Sequence, residues 1–470
     1  MLQPDRRTKI VATIGPASND VETLAALVDA GMDGVRLNFS HGTQDEHELS
    51  ARHVRAVQAE AGRPLALIAD LQGPKVRIGE LAGPVALAVD DEIVVAGQDE
   101  CGVDDLPVAP NVLSSVLEAG DEILVDDGHV RLRVERLDGG RALCRVVTGG
   151  VVEPHKGVNV PGVPLPVASL TEKDLADLDF ALGLGVDYVA QSFVRSHLDV
   201  AALKSRIEAA GSQAWVIAKI ELKEAVTQLE AILDVADAVM IARGDLGVEI
   251  GAAEVPLLQK QIILGALDRG KPAITATQML ETMILRPEPT RAEASDVANA
   301  ILDGTSALML SAETAVGAYP VEAVATMTRI ARAVEPSLGY RHQLPSAHEE
   351  PTVGRAMSNA ACDLAEALGA TAILVPTFTG RTASAVARLR PRRPVVALTH
   401  VVPSLQHMAI EWGVTPLEID EVTDVEELWS RSIAAARDAG IVEPGDRVVL
   451  TAGTAVNIPG STNVIKVDVA

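Results

Sequence analysis

Two short apolar runs that end in charge carry most of the chemistry readable in this chain. They are Ala214-Trp215-Val216-Ile217-Ala218-Lys219-Ile220-Glu221 and Ala238-Val239-Met240-Ile241-Ala242-Arg243-Gly244-Asp245-Leu246-Gly247. Each begins as a strand buried on both faces would. Lys219 and Glu221 are two apart, so on an extended strand they point the same way. Arg243 and Asp245 flank Gly244 where the second run breaks. Burying a lysine, two carboxylates and an arginine at neighbouring strand tips is costly. A metal ion together with an anionic substrate would offset that cost. Taken singly, Lys219 and Glu221 read as a structural ion pair, and Arg-Gly-Asp reads as a chance surface turn.

The chemistry that suits the whole set is phosphoryl transfer, in which catalysis is mainly positioning plus positive charge. Glu221 and Asp245 are oxygen ligands of the kind Mg2+ prefers. Gly244 lets backbone approach a small anion, and the Leu246-Gly247-Val248-Glu249 that follows reads as the start of a helix whose N–H groups add to the anion site. Lys219 and Arg36 would neutralise the transferring group. His41, His47 and His53 are spaced by six, share no helix face and do not read as a metal site. The sequence has no Walker-type glycine-rich loop and no GxGxxG after a strand, so a nucleotide is not expected in either of those modes.

These residues need a rigid frame, and the apolar pattern supplies one. Strands are expected at Lys9–Ile14, Gly34–Asn38, Leu65–Asp70, Asp187–Ser192, Trp215–Ile220, Ala238–Ala242, Pro272–Thr277 and Ser306–Leu310. Amphipathic helices lie between them. Val200, Leu203, Ile207 and Ala210 line one, with Gly211 as its C-cap; Val321, Val324, Met327, Ile330 and Val334 line another. Eight strands alternating with helices predict a closed (β/α)8 barrel, whose active site forms at the C-terminal strand ends. Arg36, Asn38, Ser40, His41, Asp70, Lys219, Glu221, Asp245, Thr277 and Glu313 all fall on that one rim.

The rhythm breaks between the third and fourth strands. From Pro74 to Val167 the period becomes two, with Val130, Leu132, Val134 and Leu137 approximating alternation between the turn signals Asp127-Gly128 and Asp138-Gly139-Gly140. This predicts a small all-β domain, 74–167, inserted at the rim and able to move, with the barrel formed by 1–73 and 168–340. A polar linker, Glu335 to Pro351, leads to an open α/β domain over 341–470, with strands near Ala372–Val375, Val395–Leu398, Val414–Ile419, Arg447–Thr451 and Val464–Val467.

Composition narrows the class. With 48% hydrophobic but only 2% aromatic residues, the core must be built from Val, Ala, Leu and Ile, as in repeated strand–helix units. A formal net charge of −25 argues against nucleic acid as a partner and requires any anion site to be locally basic. The three scattered cysteines, Cys101, Cys144 and Cys362, suit a reducing compartment rather than a disulfide framework or zinc site. No apolar run approaches membrane-spanning length, and the first residues form no apolar signal segment. A cytoplasmic enzyme with no membrane partner is expected.

Several segments, together and in this order, resemble the pyruvate kinase family over nearly the full chain. They are Arg36-Leu37-Asn38-Phe39-Ser40-His41-Gly42, Asp70-Leu71-Gln72-Gly73-Pro74-Lys75-Val76-Arg77, Lys156-Gly157-Val158-Asn159-Val160-Pro161-Gly162, Lys219-Ile220-Glu221, Ala242-Arg243-Gly244-Asp245-Leu246-Gly247, Ala276-Thr277-Gln278-Met279-Leu280-Glu281 and Pro289-Thr290-Arg291-Ala292-Glu293. The resemblance implies transfer of a phosphoryl group from phosphoenolpyruvate to ADP, giving pyruvate and ATP. It implies Mg2+, for which Mn2+ can substitute, on Glu221 and Asp245. It implies Lys219 and Arg36 at the phosphoryl group, Gly244, Asp245 and Thr277 at the substrate, with Thr277 relaying a proton to the enolpyruvate carbon. Asn38 and His41 would lie near the nucleotide, and Arg77 and Lys156 would clamp its phosphates when the insertion closes. A homotetramer is implied by the resemblance alone.

Departures from the family pattern add expectations. Members that require K+ carry glutamate where this chain has Lys75, and threonine and lysine at Leu71 and Gln72. Asn38, Ser40 and Asp70 of the monovalent-cation site remain, with Leu71 beside them, and the Lys75 ammonium can supply the charge of K+; catalysis without K+ is expected. In the C-terminal domain, Thr377, Thr379, Gly380, Arg381 and Thr382 suit a phosphate and resemble the family's effector loop. Phe378 replaces the lysine of members that respond to fructose bisphosphate, so AMP or a sugar monophosphate is as good a candidate effector. Leu222, where the family has a polar residue, has no explanation in the sequence. The competing readings are a catalytically silent metabolite sensor and a different Mg2+-dependent barrel acting on phosphoenolpyruvate; the filled catalytic positions speak against the first, and Arg77 with Lys156 against the second.

Overall fold

Eight apolar runs of four to six residues form eight parallel strands that close on themselves: β1 (Lys9–Thr13), β2 (Gly34–Asn38), β3 (Ala66–Asp70), β4 (Tyr188–Gln191), β5 (Trp215–Ile220), β6 (Ala238–Ala242), β7 (Ala273–Ala276) and β8 (Ala307–Leu310), each bonded to its neighbours in chain order, with β8 returning to β1. The computed structural model describes residues 6–339, 352–453, 458 and 460–470. The expected linker therefore lies outside the described residues from 340 to 351. Among the described residues no helix is long and apolar enough to cross a membrane.

The runs are apolar throughout because each strand is buried twice. Val11, Ala66, Ile68, Ala190, Ile217, Met240, Ile274 and Met309 fill the barrel interior. The alternate residues Ile10, Ala12, Leu67, Ala69, Val189, Val216, Ala218, Val239, Ile241 and Leu308 pack against the surrounding helices. This parity matters at the C-terminal ends. Thr13, Arg36, Asp70, Ser192 and Lys219 are each the next inward position after that interior layer, so the pleat aims them all at the barrel axis.

The insertion between β3 and β4 is an all-β unit. A seven-stranded sheet runs, in spatial order, through 158–159, Glu122–Val125, Val130–Asp138, Arg141–Thr148, Glu92–Gly97, Leu106–Ala109 and Arg77–Ile78. An Arg77–Gly157 bridge nearly closes it. The Gly139-Gly140 turn has both φ values positive, 55° and 89°, which matches the right-handed twist of the flanking hairpin. Val130, Leu132 and Val134 point inward as the alternation requires. Leu137 does not; it falls after a register shift and is 40% exposed. A second difference is local to the helix His197–Ala209, whose cap is Ala210, with Gly211 one residue beyond at φ 71°.

The C-terminal domain has four parallel strands, β9 (Ala372–Pro376), β10 (Val395–Thr399), β11 (Val414–Glu418) and β12 (Arg447–Gly453), in the order β11-β10-β9-β12. An antiparallel edge strand, β13 (Thr462–Val469), completes the sheet. This domain also closes the floor of the barrel. The segment that follows Val402–Met408 places Ala409 and Ile410 in the barrel's interior cluster. A Cβ on Gly34 would lie 3.1 Å from Ile410 Cγ2, so the start of β2 has no room for a side chain there. Tyr188 donates to the His407 carbonyl at 2.6 Å, and the His407 ring stacks on Trp215 at 4.2 Å. The guanidinium groups of Arg7 and Arg390 both lie over the Trp412 ring, 5.6 and 4.5 Å from its centre.

The same floor buries Glu411, whose Oε1 accepts from Ser384 Oγ at 2.5 Å. Burial pushes this carboxyl up to about 7, against the Ser384 hydrogen bond and the charges of Arg390 and Lys9. The folded chain therefore retains a proton that the unfolded chain has already released, and Glu411 makes stability fall as pH rises from about 4.5 to about 7. The shift corresponds to roughly 3 kcal/mol. Glu411→Gln is expected to flatten the decline of the urea midpoint across that range; a slope identical to the parent's would show that Glu411 ionises freely in the fold.

Candidate active site

The rim residues converge on one ammonium. Lys219 Nζ lies 2.9 Å from Glu221 Oε1, 3.2 Å from Asp70 Oδ1 and 2.6 Å from Ser192 Oγ. Burial pulls its pKa down, but Asp70 and Glu221 outweigh that and hold the group cationic, above the ordinary lysine value. Asp70 is buried too; the charges of Lys219 and Arg36 overcome that burial and keep its carboxyl below the usual range. Arg36 Nε reaches Asp70 Oδ2 at 2.6 Å, and Arg36 Nη1 reaches Thr13 Oγ1 at 3.2 Å. Glu221 Oε2 accepts the Phe193 N–H at 2.7 Å.

Glu221 feels a second carboxylate. Burial raises its pKa, Lys219 opposes the rise, and Asp245 adds to it. Glu221 at the end of β5 and Asp245 just beyond the end of β6 form a donor set that a divalent cation would satisfy. A pair rather than a closed cage suits Mg2+, which keeps several waters or substrate oxygens among its ligands. Among the described residues there is no cluster of three or more His, Cys, Asp or Glu that could hold a metal.

Gly244 and Asp245 do not precede a helix but open one, since α1 spans Arg243–Ile250. Their amides are therefore first-turn N–H groups without helical partners. The Gly244 N–H donates to Thr277 Oγ1 at 2.9 Å, and the Thr277 hydroxyl donates to the Ala276 carbonyl at 2.7 Å. The C-terminal end of α1 also meets the insertion, where Glu249 accepts the Gly162 N–H at 2.9 Å.

The remaining expected residues divide into those drawn to the rim and those held away. Lys75 lies 3.6 Å from Asp245 Oδ1. Its side chain passes over Gly157, where a Cβ would sit 2.9 Å from Lys75 Cε. His41 is exposed; partial burial and the charges of Arg77, Arg36 and Lys75 keep its imidazole below the ordinary value. Asn38 Oδ1 accepts from the Ser40 N–H at 3.2 Å. Leu71 turns its side chain into the apolar layer outside the strands and offers the rim only a carbonyl, which accepts from Ser192 at 2.7 Å. Lys156 is not on the rim. Its ammonium pairs with Asp126 at 3.0 Å and Glu153 at 3.7 Å within the insertion. Arg77 Nη1 donates to the His155 carbonyl at 3.1 Å. Ser192 and Thr13 escaped sequence reasoning, although both continue the inward parity of their strands.

In the C-terminal domain, Thr377, Thr379, Arg381 and Thr382 line a cavity of about 820 Å³ that also takes walls from the barrel, including Lys204, Trp215 and Lys271. Gly380 is buried at φ 82°, its N–H bonded to Thr377 Oγ1 at 3.1 Å. Thr382 Oγ1 is engaged with Thr462 Oγ1 at 3.0 Å. Arg381 and Phe378 are exposed.

Comparison with known proteins covers nearly the whole chain. Residues 5–324 match the family model of the pyruvate kinase barrel domain, and residues 355–468 match that of the pyruvate kinase alpha/beta domain. The chain is 45% identical to pyruvate kinase 2 of Synechocystis, across 99% of this chain and 79% of the relative. It is 43% identical to a pyruvate kinase of Geobacillus stearothermophilus, across 99% and 80%. A crystal structure of a pyruvate kinase from Cryptosporidium parvum superposes with a TM-score of 0.93 at 32% identity, covering 99% of this chain and 96% of that one.

Removing the ammonium would leave two buried acids without their counter-charge. Lys219→Met is expected to lower stability by about 3 kcal/mol near neutral pH. The loss should shrink in acid, where Asp70 and Glu221 take up protons and need no cation. Thermal melts across pH would check this, and a pH-independent loss would mean that the pairing contributes nothing.

Proposed function

The chain belongs to the pyruvate kinase family and transfers the phosphoryl group of phosphoenolpyruvate to ADP, giving pyruvate and ATP; from that premise we propose how its residues divide the work. The observation that carries the proposal is the Lys219 ammonium, held cationic between Asp70, Glu221 and Ser192 at the open end of the barrel. Lys219 stabilises the transferring phosphoryl group, and Arg36 holds its oxygens, because the charge that develops there is spread over oxygen and is best met by fixed cations.

Members of the family need Mg2+, and Glu221 with Asp245 are the residues that would hold it here, with Mn2+ able to substitute. When bound, the metal supplies positive charge shared between substrate oxygens, easing the approach of two anions. The first-turn amides at Gly244 and Asp245 bind the substrate anion. The Thr277 hydroxyl, already tied to Gly244, binds substrate and passes a proton to the methylene carbon of enolpyruvate, which becomes the methyl group of pyruvate. Asn38 and His41 flank the nucleotide. Arg77 and Lys156 clamp its phosphates when residues 74–167 close as a lid, and Lys156 must exchange Asp126 for phosphate to do so. Closure excludes water, the competing phosphoryl acceptor.

The Lys75 ammonium takes the place of K+. Its approach to Asp245 supports this, since a fixed cation near the site makes a second, diffusible one redundant. Residues 341–470 bind a phosphorylated effector, AMP or a sugar phosphate, in the cavity lined by Thr377, Thr379, Arg381 and Thr382, with Gly380 at its turn, and take part in assembly of a homotetramer. The hydroxyls, the exposed arginine and the size of the cavity favour a small phosphorylated metabolite.

Pyruvate formation from phosphoenolpyruvate, ADP and Mg2+ tests the core assignment. Lys219→Met is expected to lower kcat by about a thousandfold or more; a loss under tenfold would remove Lys219 from the chemistry. The parent should change by less than about twofold on adding K+ to a K+- and Na+-free assay, whereas Lys75→Glu should acquire a K+ requirement. A steep K+ response in the parent would sink the role given to Lys75. For the effector cavity, Arg381→Ala should abolish any shift in phosphoenolpyruvate half-saturation caused by AMP or glucose 6-phosphate. If neither ligand shifts half-saturation or melting temperature in the parent, the cavity is not an effector site for them.

A further inference from the structure

Thr277 and Gln278, which follow β7, have φ values of 65° and 54°. The left-handed region is disfavoured for a non-glycine residue and most of all for a β-branched one. Two such residues in succession persist only if the surroundings enforce them, and the enforcing group is visible. Arg243, the first residue of α1 and 9% exposed, sends its guanidinium behind this turn. Nε donates to the Ala276 and Thr277 carbonyls, both at 3.3 Å. Nη2 donates to the Thr277 carbonyl at 2.7 Å, to the Gln278 carbonyl at 3.2 Å and to Met279 Sδ at 2.8 Å. Nη1 is anchored by Asp296, 2.8 Å away on α2 (Arg291–Asp303), and more weakly by Gln259 at 3.4 Å.

We infer that Arg243 is a positioning residue for Thr277: its guanidinium gathers the carbonyls of residues 276–278, holds the left-handed turn, and so fixes the Thr277 hydroxyl over the Gly244 amide. The inference rests on the role proposed above for Thr277. Arg243 and Gly244 are adjacent, so one stretch of chain grips Thr277 twice, at its carbonyl through Arg243 and at its hydroxyl through the Gly244 N–H. The guanidinium does this because its five N–H groups lie in one plane and can serve three convergent carbonyls together; a lysine offers a point charge with no such fork. The guanidinium donors are occupied by the turn, by Asp296 and by Gln259.

The test is a double-mutant cycle on the full enzyme, using Arg243→Lys and Thr277→Ala. Two quantities are read: kcat/KM for pyruvate formation, and exchange of pyruvate methyl protons with D2O in the presence of ATP and Mg2+, followed by NMR. Arg243→Lys is expected to reduce exchange on the order of a hundredfold, the scale of losing a positioned proton-transfer group, and to change KM for phosphoenolpyruvate far less. In the Thr277→Ala background the same substitution should cost less than about twofold, because there is no hydroxyl left to position. Full multiplication of the two effects would overturn the inference, as would parent-like exchange in Arg243→Lys. If Thr277→Ala slows kcat/KM but not exchange, the relay role falls while the cycle in kcat/KM still judges the clamp. If Thr277→Ala slows neither, there is nothing to position and both readings fall. Circular dichroism and melting establish that each variant is folded. Should Arg243→Lys not fold, Asp296→Asn, which keeps the guanidinium but weakens its anchor, should give a smaller loss that also vanishes without the Thr277 hydroxyl.

Discussion

A buried ammonium that cannot be left alone dictates much of this molecule. Lys219 is 8% exposed, and Asp70 and Glu221 are each 1% exposed. None of the three is tolerable without the others, because a charge stripped of water at the end of an apolar strand costs several kcal/mol unless it is paired. The pairing demands that β2, β3, β4 and β5 end at one level with their inward residues facing one another. A closed parallel barrel supplies this, since all its strands run the same way and its interior parity is shared. Beside that level lie the second acid, Asp245, and the first turn of α1, a setting that a divalent cation and an anionic substrate would complete.

The parts of the fold set by local pattern could be read from the sequence, and the parts set by partners brought from afar could not. Each expected strand is present to within a residue or two, because burial on both faces forces an apolar run whatever the neighbours are. Lys219 and Glu221 were readable as a pair because two residues on one strand share a direction. Ser192 was hidden because its meaning lies in a hydrogen bond to a lysine on the next strand. The clamp role of Arg243 was hidden for the same reason: the carbonyls it gathers lie more than thirty positions away. Leu137 was misplaced because a register shift moved it to solvent, and the pairing of Lys156 with Asp126 could not be read because that partner lies thirty positions earlier in the chain. The start of α1 was set two or three residues late because Arg-Gly-Asp is a poor helical opening on propensity alone, and tertiary bonds to Ala276, Thr277 and Asp296 compensate.

The C-terminal domain is tied to the barrel by more than a chain connection. Its helix α3 (Arg381–Ala387), which borders the large cavity, bonds to the floor segment through Ser384 and Glu411, and its cap Gly380 packs so near Met408 that a Cβ there would lie 3.0 Å away. The floor segment in turn puts Ile410 under β2 and His407 under β4 and β5. Occupancy of the cavity and the lower ends of the strands bearing Arg36, Ser192 and Lys219 are thus linked through one packed segment rather than through solvent. Such a segment can transmit a change only if it has two arrangements, each favoured by a different state of the cavity.

The floor plug also sets an order of events in manufacture. Ile410 lies a hundred positions after Leu310, the last residue of the barrel wall, so the ribosome completes the wall before it has made the stopper. At about 5–20 residues per second the gap is roughly 5–20 seconds. For that interval a nearly finished barrel stands with Tyr188, Trp215 and the lower interior open to water, an apolar mouth that other nascent chains can enter. The newborn chain is therefore most in need of chaperone shelter late in synthesis, after its catalytic half has been assembled.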